Sequence, residues 1–181
     1  MPKSLRLSTV DSTVHARMRA VLSSIQQEFD FSTFTWASFV DWLSQRQGKE
    51  VRLVPVPTAS STLFGSWIST ATAEFIFYDA GTLPMHQIHI QLHEIAHMLC
   101  GHSTFHADRE GLPQSLEEIM ALAASAMRMR HVAESETEQE AEILTALIQS
   151  AIFSHGRQEA LTRFDFQNHD EEVLVYMMEL G

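Results

Sequence analysis

The sequence predicts an α+β fold: a small three-stranded antiparallel sheet with N-terminal helices before it and further helices after it. Three observations predict it. Residues 11–48 place apolar side chains at helical spacing. Residues 51–79 hold three short runs rich in β-branched and aromatic residues, separated by turn formers. Helical spacing then returns from Pro84 onward.

The elements follow in order. In residues 11–28, Val14, Met18, Val21, Leu22 and Ile25 form one stripe. A second helix puts Trp36, Phe39, Val40 and Leu43 on one side and stops at Gly48. The strands are expected at 51–57, 63–70 and 74–79, and the prolines of "VRLVPVP" assign the first to an edge or make it irregular. Pro84 opens a helix where its missing N–H costs nothing, and Gly101 is placed to end it. "SLEE" (115–118) is a capping box ahead of Leu116, Ile119, Met120, Ala123 and Met127. A last helix starts near Ser135 and carries Ala141, Leu144, Ile148 and Ile152. The expected organisation is one domain over residues 1–155, with its core at about 35–155 and its N-terminal helical part at 11–48; residues 156–181 form a tail.

Composition excludes several functions. The formal net charge of −11 opposes binding to a phosphate backbone or an anionic membrane surface. No run approaches the ~20 apolar residues of a membrane span. With one cysteine, Cys100, no intramolecular disulfide can form, and the N-terminus lacks the apolar core of a leader peptide. The expectation is a cytoplasmic protein whose partner is a protein rather than nucleic acid or membrane.

The chemistry sits in "QLHEIAHMLCGH", residues 91–102, where His93, Glu94 and His97 spell H-E-x-x-H. Residues four apart on a helix differ by only ~40° in azimuth, so both imidazoles leave the same side. They can share one tetrahedral zinc ion at about 2.0–2.1 Å each. Glu94 lies beside them, suited to take a proton from a water that the metal has acidified. The apolar neighbours Ile90, Leu92, Ile95, Ala96, Met98 and Leu99 bury this helix, and a buried helix must give its histidines partners.

The ligand set needs a third member. A metzincin carries glycine seven residues and histidine ten residues after the first histidine. Those positions here are Cys100 and Ser103, while His102 misses by one. His86 and His89 lie too far along the helix and read as outer residues, and Cys100 as a small buried one. The third ligand is therefore expected to be an acid on another helix. In "ESETEQEAEILTALI" Glu138 shares the side of Ala141 and Ile148, whereas Glu136 and Glu140 are expected to point away. Glu142, one turn on, is suited to orient a ligand histidine. Alternatively, Glu138 closes a capping box with Ser135, and the two roles are compatible.

The strand "EFIFYD", then "HIQLHEIAHMLCGH", then "EQEAEILTALI" resemble the ImmA/IrrE family of small zinc metallopeptidases. Its pattern is H-E-[LI]-[GA]-H-x-[LI]-x-x-H followed by E-x-x-A-[ND]-x-[FL]-A-x-x-[LI]. The resemblance covers about residues 35–155. It implies His93, His97 and Glu138 as zinc ligands, Glu94 as general base, and a minimal gluzincin-like fold whose sheet packs on an active-site helix and a glutamate helix. Glu142 stands where the family has Asn or Asp, and the Leu-x-Pro that closes the family's glutamate helix is absent.

The implied function is a regulatory zinc-dependent endopeptidase. It would cleave or antagonise a partner such as a helix-turn-helix repressor, a basic protein that the acidic chain would attract. His102, His131 and Tyr78 are the candidates for a second oxyanion donor. The alternative is a non-cleaving zinc-binding regulatory module, or a toxin-like one whose partner is an antitoxin.

Overall fold

The run AEFIFYD decides the layout of the sheet. All its residues but Asp79 are buried, and a strand buried on both faces belongs in the interior of a sheet. The computed structural model describes residues 9–56, 65–103, 105–106, 118, 121 and 135–154. Its strands are β1 (Glu50–Val56), β2 (Gly65–Ser69), β3 (Ala73–Asp79) and β4 (Phe105–His106), in the spatial order β1-β3-β2-β4.

β2 is antiparallel to β3, from Gly65 opposite Tyr78 to Ser69 opposite Glu74. β1 is parallel to β3, from Glu50 opposite Ala73 to Val56 opposite Asp79. β4 pairs in parallel with Ile68 and Ser69 of β2. The sheet is therefore mixed and four-stranded, which corrects the expected three-stranded antiparallel sheet. Strand periodicity marks where strands are but not which pair, and only β2–β3 join as sequence neighbours. The most apolar strand takes an inner place and leaves the edge to β1. There Pro55, which has no N–H for a ladder, is tolerated. β4, with two residues, is too short to leave a periodic signal.

Among the described residues four helices are complete from end to end: α1 (Thr9–Glu28), α2 (Trp36–Gln47), α3 (Pro84–Leu99) and α4 (Ser135–Ser154). α2 starts with a capping box, Thr35 Oγ1 accepting from Ser38 N and Ser38 Oγ accepting from Thr35 N. It ends at Gly48, whose φ of 66° is open to glycine at little cost. Asp30 caps the short 3₁₀ turn Phe31–Thr33, and Phe29, Phe31, Phe34, Trp36 and Phe39 pack their rings around this corner.

The layers run sheet, α3, α4, α1. α3 rests on β2 and β3 and meets α4 on its other side; α1 packs on α4, and α2 on β1. Leu92, Ile95 and Ala96 of α3 are fully buried, as are Ala141, Leu144, Ile148 and Ile152 of α4. Each large side chain of this kind contributes about 1.5–3 kcal/mol. Glu118 and Ala121 are helical, but the "SLEE" box and its apolar pattern, like the 156–181 tail, lie outside the described residues. No helix among the described residues is long and apolar enough to cross a membrane.

One buried charge ties the sheet together. Glu74 of β3 accepts hydrogen bonds from Trp67 Nε1 (2.8 Å), Ser69 Oγ (2.8 Å) and Lys49 Nζ (3.1 Å). Lys49 also donates to the Thr70 carbonyl, linking the end of α2 to the β2–β3 turn. Glu74→Ala removes the carboxylate that accepts from the buried Trp67 indole N–H and Ser69 Oγ and that carries the countercharge of Lys49. Urea unfolding should register a loss of about 3–5 kcal/mol, against under 1 kcal/mol for a surface change such as Glu50→Ala.

Candidate metal centre

α3 presents His93 and His97 one turn apart, and α4 brings Glu138 across to them. His93 Nε2 and His97 Nε2 lie 3.1 Å apart. Glu138 Oε2 is 3.3 Å from His93 Nε2, and its Oε1 is 3.5 Å from His97 Nε2. Four ligands on tetrahedral arms of about 2.05 Å are separated by about 3.3 Å. The His93–His97 spacing and the distance from each histidine to a Glu138 oxygen, Oε2 for His93 and Oε1 for His97, fall within 0.2 Å of that value, so the three groups are close enough to share one ion. The donor set, two imidazoles and a carboxylate, suits a borderline cation such as Zn²⁺. His93, His97 and Glu138 thus form a group able to hold a metal ion.

Glu94 is buried and leaves α3 toward the start of β2. Gly65 makes room for it: a Cβ there would lie 2.8 Å from Glu94 Oε1 and 2.5 Å from Ile90 Cγ2. A cleft of about 270 Å³ opens at this point, lined by Gly65, His86, His89, Ile90, His93, Glu94 and Glu142. Glu94 and His93 therefore share one wall. Gly65 carries no motif, and only the crossing of β2 over α3 reveals its role.

Glu142 approaches His93 from the side opposite the metal corner, Oε2 standing 3.4 Å from His93 Nδ1. The contact is not aligned as a hydrogen bond, and Nδ1 stays buried without one. The same oxygen is 3.4 Å from His89 Nε2. His86 is exposed and His89 half-buried, and both line the cleft.

Glu140 departs from expectation. It does not point away from the site: it is buried, and its Oε2 lies 2.9 Å from His102 Nε2. Its other oxygen pairs with Arg17 of α1. α4 packs against both α3 and α1, and Glu140 finds a partner from each direction, His102 just past the end of α3 and Arg17 on α1. A helix packed on one side only would have exposed Glu140. His102, in turn, sets its Nδ1 2.9 Å from His97 Nδ1.

The end of α3 explains that contact. Cys100 caps the helix and Gly101 takes φ 68°. Gly101 N–H then donates to the Met98 carbonyl and His102 N–H to the His97 carbonyl, both at 3.1 Å. This is the Schellman pattern, which folds the chain back over the last turn. His102 thereby meets His97 through backbone and side chain alike. Cys100 is half-buried, with Sγ 3.7 Å from Met18 Sδ, and burial pushes its thiol up to about 11 despite the opposing charge of Arg17.

Of the oxyanion candidates, His102 contacts the ring nitrogen of His97 remote from the shared corner, and Tyr78 belongs to the buried apolar core. His131 lies outside the described residues.

Gly65→Ala forces Ile90 and Glu94 to move and should lower thermal stability by about 1–3 kcal/mol. Gly48→Ala, with no neighbour within 4 Å of the added carbon, is the comparison; its cost is set by backbone conformation alone. An equal response of any Glu94-dependent activity to both variants would contradict the proposed crowding.

Compared with known proteins, the chain matches no family model, no curated protein and no solved structure.

Proposed function

We propose that the chain is a regulatory zinc-dependent endopeptidase of the ImmA/IrrE kind, with His93, His97 and Glu138 as ligands and Glu94 as general base. The observation that carries this reading is the convergence of two Nε2 atoms and one carboxylate at tetrahedral spacing, beside a cleft whose wall includes Glu94. When bound, zinc supplies a Lewis acid for a peptide carbonyl and lowers the pKa of water. The rest falls to the chain. Glu94 takes the proton of the attacking water on its carboxylate and returns it to the departing amine. The cleft admits an extended segment beside His93, and the histidines and glutamate keep their donor atoms facing one point.

The acidic balance of the chain suits a basic protein substrate. A DNA-binding repressor, or an antitoxin of similar charge, meets that description. The cleft is small beside the ~300–1,000 Å³ typical of ligand sites, which favours a short, flexible target loop. The same size supports a second reading, a zinc-dependent binding module that holds its partner without cutting it.

Three measurements test the proposal. Elemental analysis should find one zinc per wild-type chain and much less in Glu138→Ala; equal zinc in both would remove Glu138 from the ligand set. Glu94→Gln should keep its zinc and lose cleavage of a fluorogenic peptide library by at least ~100-fold. Zinc-loaded wild type that cuts nothing, with Glu94→Gln still supporting the wild-type phenotype, leaves the binding module as the answer.

A further inference from the structure

A chain of side chains behind the metal centre forms a second buried system. It runs from His97 Nδ1 to His102 Nδ1 (2.9 Å), from His102 Nε2 to Glu140 Oε2 (2.9 Å), and from Glu140 Oε1 to Arg17. His97 and Glu140 are buried and the His102 side chain is largely covered, so the contacts are shielded from competing water. Beyond His97 itself, none of these groups belongs to the proposed ligand set, and the acid on α4 that anchors them is Glu140, not Glu138.

The chain has a direction. If His97 offers its Nε2 lone pair to the metal, its proton must sit on Nδ1. That N–H donates to His102 Nδ1, which must then be the unprotonated nitrogen. The His102 proton therefore sits on Nε2 and donates to Glu140. The other oxygen of Glu140 pairs with the guanidinium of Arg17. Each link determines the next, and reversing any one places two protons or two lone pairs against each other. His93 has no comparable support, since Glu142 is exposed and its contact at 3.4 Å is not aligned.

We propose that His102, held by Glu140 and Arg17, is the positioning residue that fixes the tautomer and ring orientation of His97, and that it ties α1 to the metal centre. This rests on His97 being a ligand, as the proposed function has it. Outer partners of this type typically govern metal affinity by roughly 10- to 100-fold. The Schellman turn at Gly101 makes the arrangement possible, because it sets His102 over the last turn of α3.

The test measures zinc dissociation constants by chelator competition on the full chain. His102→Phe keeps the ring volume but has no acceptor, and should weaken binding roughly 10- to 100-fold. His102→Gln can accept at its amide oxygen and donate at its nitrogen, and should recover much of that loss. Glu140→Gln, which keeps its shape, should fall between, and serves if His102→Phe does not fold. Nitrogen NMR of histidine-labelled, zinc-loaded wild type should report protons on His97 Nδ1 and His102 Nε2.

Three results overturn the inference while leaving the ligand set intact. One is zinc affinity within twofold of wild type in both His102→Phe and Glu140→Gln. Another is a proton on His102 Nδ1. The third is a second bound zinc lost in Cys100→Ser, because Cys100, His102 and Glu140 also lie close enough to share an ion, and His102 would then be a ligand itself. Wild type that takes up no zinc overturns both this inference and the proposed function.

Discussion

The packing of α4 against α3 is the interaction on which the rest depends. The two helices touch, and Leu92, Ile95 and Ala96 of α3 and Ala141, Leu144 and Ile148 of α4 are buried in the same apolar cluster. The same interface brings Glu138 and Glu140 against the histidines. Polar groups lose hydration there, and apolar burial offsets that cost only if each polar group finds a partner. The histidines find theirs among the acids of α4. Packing and site are thus one interface, and changes to either are felt in both.

Much of this was legible in the sequence, for identifiable reasons. A helix repeats its geometry every turn, so the four-residue spacing of His93 and His97 already puts both imidazoles on one side. The same periodicity relates Glu138 to Ala141 and Ile148, which are buried. Gly48 and Gly101 end their helices where sequence places them, because positive φ selects glycine. Pro55 lies at a sheet edge for an equally local reason.

What was not legible depends on relations between elements. Strand pairing is not written in strand periodicity, so β1 appears beside β3 in parallel only in the folded chain. Glu140 was misread because a single buried face was assumed for α4, whereas α1 supplies a second. Gly65 has no signature, since its need for a missing Cβ arises from Glu94 on another element. His102 is an intermediate case. It fails as a metzincin ligand by one position, yet a glycine-ended helix predicts that the following residue bonds back to the third-last helical carbonyl. Applied to Leu99-Cys100-Gly101-His102, that rule reaches His97.

The two histidines proposed as ligands therefore have unequal surroundings. His97 is buried and backed by a chain ending on an arginine from α1, while His93 faces the cleft and an exposed glutamate. That division suits a site that must be both firm and open. A metal held equally tightly on every side would leave no approach for a substrate. One held only by cleft-facing groups would lose its geometry whenever the cleft moved. Placing the rigid support behind His97 and the access beside His93 and Glu94 meets both demands. Here α1 contributes without lining the cleft: its Arg17 supplies the countercharge of the buried Glu140. The N-terminal helix is in this sense part of the site, joined to it through charge rather than through proximity to the reacting atoms.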